Sequence, residues 1–396
     1  MRLAVLSPFV DRRHGTERAL AELLERLSRN YACEIHLYAE RVEELSVRDW
    51  RSAQGAEPGA IYWHRVARIP GPHLVRFCGW MLLNGLLRGW HAWSHRVSYD
   101  VVLSPGINCL HPNVVIVHAL FHRLRELAQE NQEGHVTPGA ILRRWHRRIY
   151  YNLLSRLERK TYGNRGIKLA AVSERTRDLL NKYFKRDDAH VIPNGVDTTC
   201  FSVDRRLAAR EGARRRRGIR EGECVLLLVG NDWWTKGLPT VLAAMKALSS
   251  LPLRLIVVGN DSAEYFRIEA AQLGVQEQCL WEVPSADVLD FYAAADIYVS
   301  PSLEDSFGLP VAESMACGLP VIASVYAGIA GFLRDGVEGF VLKKPSDATE
   351  LGARIQQLAQ DADLRRKIGE AAALKARELD WDCNAEAVWK LLTARA

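Results

Sequence analysis

The chain has 396 residues, 48% hydrophobic and 25% charged, which excludes collagen-like, disordered and low-complexity classes. A single core stops growing at roughly 250–300 residues, so two domains are expected. The net charge of +6 suits an anionic ligand or a membrane surface and is too small to argue for nucleic acid, so no nucleic-acid partner is expected.

Taken in chain order, residues 3–6 read as a buried first strand. The apolar run there stops at Asp11-Arg12-Arg13 and is too short for a signal-peptide core with its cleavage site. Residues 16–28 read as an amphipathic helix, with Leu20, Leu23, Leu24 and Leu27 at helical spacing. Strands are expected at 34–38, 101–103, 114–117 and 169–172. The apolar stretch 77–87 is about half the roughly 20 residues that a membrane span needs.

Pro193-Asn194-Gly195 is a turn signal and marks a domain boundary, giving 1–190 and 191–396. The Arg-rich stretch 205–220 that follows reads as a solvated connecting helix, since no aromatic residue interrupts its arginines. The second half restarts with a strand at 224–229 and continues with strands at 253–258, 297–299 and 320–323. Residues 381–396 are helical in pattern. Continuous apolar strands alternating with helices indicate parallel sheets buried on both faces, hence two doubly wound Rossmann-like α/β domains. The eight cysteines include no CxxC pair, and reduced thiols in a cytoplasmic protein are expected.

Residues 300–320 are the most informative segment. A strand runs into a loop containing Phe307-Gly308, and a helix is expected to start near Leu309-Pro310, since Pro suits a first helical turn. Backbone amides and the positive end of the helix dipole then face whatever sits over Gly308, which favours an anion such as a phosphate. Asp305 precedes that helix and Glu313 lies about one turn inside it. Each carboxylate can accept hydrogen bonds from vicinal hydroxyls. The loop after the strand at 224–229 carries Gly230, Asn231, Trp233, Trp234 and Lys236. A lysine beside a departing phosphate would stabilise charge that grows in the transition state. Packing is the commoner fate of the two tryptophans. In the first half, His14-Gly15-Thr16-Glu17-Arg18 joins the first strand to the first helix, and His118 ends the strand at 114–117.

The segment from Asp305 to Glu313 closely resembles the Glu-x7-Glu motif of the group-1 (family 4) retaining glycosyltransferases. That resemblance implies a GT-B fold, in which two Rossmann-like domains face a central cleft and the C-terminal helix returns to the first domain. It implies an acceptor-binding domain at 1–190 and a nucleotide-sugar-binding domain at 191–396. By the same resemblance His118, Lys236 and Asp305 are the catalytic group. Gly15, Thr16, Asn231, Lys236, Phe307, Gly308, Leu309 and Glu313 hold the donor, with Asp305 on the sugar and Glu313 on the ribose. Two positions depart from the family pattern: Asp305 stands for Glu, and Asn231 stands where Arg is common. The implied reaction moves a sugar from a UDP- or GDP-linked donor to a glycan or lipid-linked acceptor, with retention. No metal site is expected, and the nucleotide sugar is a co-substrate rather than a cofactor. Basic aromatic stretches at 73–96 and 143–168 suit an anionic membrane surface, hence a peripheral position on the inner face of the cell membrane. Two rival readings remain, a non-catalytic nucleotide-sugar-binding scaffold and a sugar-nucleotide epimerase on the same fold.

Overall fold

Strands and helices alternate through the chain, as the pattern of apolar runs requires. The computed structural model describes residues 1–13, 15–50, 57–94, 96–130, 138–285 and 287–394. His14 and the side chains of 128–130 and 138–147 lie outside the described residues, and with them the reading of His14 and the first part, 143–147, of the basic aromatic stretch expected at 143–168.

The chain divides into two units, Met1–Pro193 with Asp382–Ala396, and Asn194–Trp381. In the first unit the elements are β1 (Arg2–Leu6), β2 (Phe9–Val10), α1 (Gly15–Tyr31), β3 (Glu34–Ala39), β4 (Arg41–Val42), β5 (Arg48–Asp49), β6 (Ile61–Arg65), α2 (His73–Ser94), β7 (Val101–Pro105), β8 (Val114–Val117), α3 (Phe121–Glu130), α4 (Pro138–Tyr162), β9 (Lys168–Ala171), α5 (Glu174–Phe184) and β10 (His190–Val191). They build an eight-stranded sheet in the order β10-β9-β8-β7-β1-β3-β6-β5. The second unit holds α6 (Val203–Arg216), β11 (Cys224–Val229), α7 (Leu238–Ala247), β12 (Leu253–Val258), α8 (Glu264–Leu273), β13 (Cys279–Glu282), α9 (Leu289–Ala294), β14 (Ile297–Ser300), α10 (Leu309–Ala316), β15 (Val321–Ser324), β16 (Gly339–Leu342), α11 (Ala348–Gln360) and α12 (Ala362–Ala376). Its six strands run β13-β12-β11-β14-β15-β16.

The ladders of both sheets are parallel. Helices therefore cover the faces, and the central strands are apolar throughout: Leu3, Ala4, Val5 and Leu6 are fully buried, as are Val225, Leu226 and Leu227. On α1 the expected leucine stripe is the buried face. Each such leucine contributes roughly 2 kcal/mol of apolar burial.

The last helix, α13 (Trp381–Thr393), returns to the first unit. Its Trp389 ring stacks on Tyr31 of α1 at 4.7 Å. Asp382 accepts from Arg26 at 2.9 Å, and the Asn384 amide donates to Pro193 O at 2.6 Å. Gly195 has no room for a side chain because Trp381 lies against it.

One local expectation needs correction. The Arg-rich stretch holds α6, and Arg205, Arg215, Arg216 and Arg220 are exposed as expected, but Arg210, Arg214 and Arg217 are not part of a solvated face. Arg210 and Arg214 pair with Asp296, and Arg217 bridges Glu282 and Asp290 at 2.7 Å each. Arg214 also donates to Glu223 O at 2.7 Å. The helix docks through its guanidinium groups, which satisfy carboxylates and loop carbonyls together.

In both units the strand order reverses direction beside the first strand. The reversal falls between β11 and β14 in the second unit and between β1 and β7 in the first. Loops diverge at the carboxyl ends of such strand pairs, and ligands of doubly wound sheets bind there.

Candidate functional site

In the second unit the diverging loops are 230–237 and 301–308, which carry Asn231, Lys236, Phe307 and Gly308 of the donor residues expected from the sequence, together with Asp305. The second loop is held rigidly. Asp305 N donates to Tyr326 O at 3.0 Å, Asp305 O accepts from Gly328 N at 2.8 Å, and Phe307 O accepts from Ile329 N at 2.7 Å. Phe307 is buried, with Phe332 edge-on at 6.3 Å. Gly308 then adopts φ 93°, a left-handed conformation that a side chain would strain, and α10 begins at Leu309 with Pro310 in its first turn. Pro310 has no N–H, and Val311 N donates to Gly308 O at 2.9 Å. The amides of Gly308 and Leu309 donate to nothing among the described residues. They are the two donors that the helix start presents to an anion.

The same Gly-Leu-Pro sequence opens α7 at Gly237-Leu238-Pro239, with Gly237 at φ 80°. There the amides are already engaged: Gly237 N donates to Trp234 O and Leu238 N to Trp233 O, both at 3.0 Å. A Cβ on Gly237 would collide with Pro301 O. Identical tripeptides thus serve different ends. One lets the two loops approach closely, and the other offers an anion site.

Lys236, at the end of the first loop, reaches across to the second. Its Nζ lies 2.6 Å from Asp305 Oδ2, with the two side chains 20% and 15% exposed. The lysine stem lies over Gly230, where a Cβ would stand 3.0 Å from Lys236 Cε. Two residues assigned separately from the sequence are therefore partners. The ammonium has three N–H donors, so it can hold Asp305 and still donate to a phosphate oxygen.

Glu313 sits lower. It is 2% exposed, and the Tyr292 hydroxyl donates to its Oε2 at 2.5 Å. Burial, followed by the charge of Glu313, pushes the Tyr292 hydroxyl well above its ordinary range, so it remains a donor. Tyr298 is also buried, and its hydroxyl donates to Val229 O at 3.3 Å. Neither tyrosine was legible as a site residue, because each lies in an apolar run that reads as core.

Asn231 brings no charge to the corner. Its Oδ1 accepts from Asn260 N at 2.9 Å and ties the loop after β11 to the loop after β12. Trp233 is core, 1% exposed, among Phe266 and Trp281, whereas Trp234 is 42% exposed beside Tyr265.

The first unit has its own pocket of about 290 Å³, lined by residues that include Thr16 at the start of α1 and His118 after β8. Gly15 opens α1 but is not among the lining residues. Both His118 ring nitrogens are buried, and burial, only partly offset by a backbone hydrogen bond with Ile116, pushes the imidazole down to about 4, which leaves it neutral at pH 7. The neighbouring helix start is closed to ligands. The buried Glu158 carboxylate accepts from Phe121 N at 2.6 Å and His122 N at 3.0 Å, and lies 2.6 Å from His122 Nδ1. Glu158 stands alone among the arginines of α4, and that isolation was the only signal of its role in the sequence. Among the described residues no three His, Cys, Asp or Glu side chains cluster as a metal site, and no helix is long and apolar enough to cross a membrane.

Two family models match successive parts of the chain: Glycosyltransferase Family 4 over residues 13–199, and Glycosyl transferases group 1 over residues 209–375. Among curated proteins, the D-inositol 3-phosphate glycosyltransferase of Acidothermus cellulolyticus is 34% identical over 227 residues, which is 54% of this chain and 49% of that protein. The lipopolysaccharide glucosyltransferase WaaG of Escherichia coli K12 is 28% identical over 231 residues, 56% of this chain and 61% of WaaG. The chain spans about half the length of the curated relatives it matches. The crystal structure of WaaG superposes with a TM-score of 0.79 at 20% identity, covering 99% of this chain and 100% of that one. HepE from Anabaena, in complex with UDP-glucose, superposes at 0.71 with 17% identity over 99% of both chains. At these identities the structural likeness shows the fold, which is the two-sheet GT-B arrangement.

Proposed function

The chain belongs to the group-1, family 4 glycosyltransferases, and on that premise we propose that it transfers a sugar, with retention, from a UDP- or GDP-linked donor to a glycan or lipid-linked acceptor. The observation that carries this reading is the corner at the β11–β14 reversal. Two unengaged amides, a lysine and two acids meet there within a single unit.

In this reading the diphosphate lies over Gly308 and accepts from the amides of Gly308 and Leu309 and from Lys236. Phe307 closes the loop from below. Glu313, oriented by Tyr292, accepts from the ribose hydroxyls. Asp305 accepts from the donor sugar. The acceptor oxygen bonds to the anomeric carbon on the face that the phosphate leaves, as the bond from carbon to phosphate oxygen breaks. The acceptor proton passes to a phosphate oxygen. Lys236 and the two amides stabilise negative charge as it grows on the leaving diphosphate, at fixed positions and with no reorganisation at the moment of reaction. The HepE complex makes UDP-glucose the first donor to test.

The face of α2 supports a peripheral position on the inner face of the membrane. Leu82, Leu86, Trp90 and Trp93 are 62%, 61%, 53% and 80% exposed at helical spacing, and the helix contains no acid. Apolar and tryptophan side chains on a helix bearing Arg76 and Arg88 suit an anionic interface.

Release of UDP from UDP-glucose, together with the anomeric configuration of the glycosylated product by NMR, tests the proposal. An inverted product would overturn it. The tether from Asn231 to Asn260 favours one rival, a non-catalytic scaffold, since a cation common in the family is replaced by a structural contact. Nucleotide-sugar binding without nucleotide release from any donor–acceptor pair would decide for that rival.

A further inference from the structure

A row of buried polar rings on the first unit's sheet belongs neither to the pocket nor to the donor corner. Glu34, His36 and Tyr38 alternate onto one face of β3, and β6 sets Tyr62 opposite His36 and His64 opposite Tyr38. His91 of α2 covers this row. The His64 ring lies between the other two imidazoles, 5.1 Å from His36 and 4.4 Å from His91, and stacks on Tyr38 at 4.6 Å. All three histidines are buried.

The hydrogen bonds fix where the protons are. Burial raises the Glu34 carboxyl, but hydrogen bonds from Arg2 and His36 hold it below its usual range, so it is an ionised acceptor. His36 Nε2, 2.8 Å from Glu34 Oε1, therefore carries a proton. In a neutral ring Nδ1 is then bare, so His64 Nε2, 2.8 Å away, donates to it. This chain accepts one more proton without breaking, because a single proton still lies between the rings and the charge can rest on His36 beside Glu34. A second proton sets N–H against N–H. A parallel chain runs from His91 Nδ1 to the Tyr38 hydroxyl at 3.1 Å and on to the Tyr99 hydroxyl at 2.6 Å. Burial raises both tyrosines, so they stay hydroxyls and only reverse direction when His91 is charged. A charged His91 then faces His64, and neighbouring like charges disfavour one another.

Around the row, Arg2 of β1 and Arg88 of α2 add positive charge, and Asp100 accepts from the Arg2 amide. β5 carries Arg48 and Asp49, and Trp50 after it lies 5.0 Å from His36 and 5.2 Å from His64. His91 matters for what it anchors. The buried residues of α2 are Gly79, Trp80, Asn84 and His91, so beyond Asn84 the helix is held by a histidine, with Leu87 half-buried beside it. The outward side of that half carries Leu86, Trp90 and Trp93.

We propose that these two chains form an acid-operated latch, which holds the C-terminal half of α2 on the sheet at neutral pH and releases it when the stacked imidazoles must share more than one proton. Burial pushes His36 below its ordinary range, with Glu34 opposing. The released form, with imidazoles near the ordinary value of about 6.5, binds more protons, so release is favoured as pH falls below that value. The latch lies in the first unit alone and is independent of the sugar-transfer reading.

Hydrogen exchange on the full chain at pH 7.5 and pH 5.0, corrected for the intrinsic exchange rate, tests it. Residues 85–94 should lose protection roughly ten-fold or more at pH 5.0, the effect of a single pKa unit between the two forms, while β1 and β7 lose less. His91→Phe keeps a ring and removes the charge, so it should hold α2 at both pH values. His64→Gln, whose amide can donate to His36 Nδ1, should do the same. His118→Gln lies outside the latch and should leave the acid response of α2 in place. Nitrogen-15 NMR of the wild-type imidazoles should show His36 and His64 both protonated at Nε2 at pH 7.5, a readout that needs no variant. Full protection of 85–94 in the wild type at pH 5.0, or a loss no greater than that of β1 and β7, overturns the proposal. So does a wild-type acid response in folded His91→Phe or His64→Gln, its disappearance in His118→Gln, or a His36 ring protonated only at Nδ1.

Discussion

Asp305→Asn should strengthen the binding of free UDP. Lys236 Nζ is held 2.6 Å from Asp305, and the pair is only 20% and 15% exposed. A diphosphate that takes this ammonium must share it with a carboxylate, and the carboxylate repels the incoming charge. Exposed ion pairs are worth about 0.2–1 kcal/mol. This one is better shielded, so about 1 kcal/mol of competition disappears when the charge is removed, or a gain of roughly five-fold in UDP affinity. Lys236→Met acts in the opposite direction. It removes a charge-assisted hydrogen bond worth about 1.5–3 kcal/mol, so UDP should bind roughly 10–150-fold more weakly. UDP-glucose separates the two roles of Asp305, because the Asn variant gains at the diphosphate and loses a hydroxyl acceptor at the sugar. The ratio of UDP-glucose to UDP affinity should therefore fall in Asp305→Asn. Calorimetric titration of both ligands reads all of this. Weaker UDP binding in Asp305→Asn, or effects of the same sign in the two variants, would refute the competition argument.

Acidification should destabilise the first unit through His118. Its folded value of about 4 lies below the unfolded value of about 6.5, so the unfolded chain binds the extra proton, and stability falls as pH drops from 6.5 to 4. The full loss is about 3 kcal/mol, and denaturant titrations of His118→Gln should show a correspondingly flatter profile over that window. At the helix starts, Gly308→Ala should cost about 1–2 kcal/mol for a side chain at positive φ, since the added methyl meets nothing closer than 3.3 Å. Gly237→Ala should cost more, because its methyl collides with Pro301 O, and comparative thermal unfolding reads the difference. Replacing Trp90 and Trp93 with serine should abolish co-sedimentation with anionic vesicles at low salt while leaving UDP binding intact; unchanged sedimentation would remove α2 from the membrane account.

Much of this architecture was legible because its strands are buried on both faces. Runs such as 224–229 and 253–258 are apolar without interruption and announce themselves. β6, β13 and β16 were not legible. β6 mixes Tyr, Trp, His and Arg with one Ile, and β13 and β16 are four-residue strands at the edges of their sheet. The helix start at Leu309 could be read from Gly-Leu-Pro, but the same tripeptide at 237–239 has a different role. Only the engaged amides of Gly237 and Leu238 reveal that difference. Pairings were the least legible feature. That Lys236 meets Asp305, that Tyr292 holds Glu313 and that Glu158 caps α3 are long-range contacts without local signal. The arginines of α6 misled for the same reason: their partners Asp296, Glu282 and Asp290 lie more than 60 residues away in the chain.

The central claim, that the corner between β11 and β14 holds a nucleotide diphosphate, is tested most directly by titrating UDP and GDP into the wild type and into Glu313→Ala, with circular dichroism confirming that the variant is folded. The account predicts one-to-one binding of at least one nucleotide to the wild type. It also predicts a loss of roughly ten-fold or more in Glu313→Ala, where the ribose loses its carboxylate and Tyr292 its acceptor. Binding of neither nucleotide, or equal affinity in a folded Glu313→Ala, would contradict it.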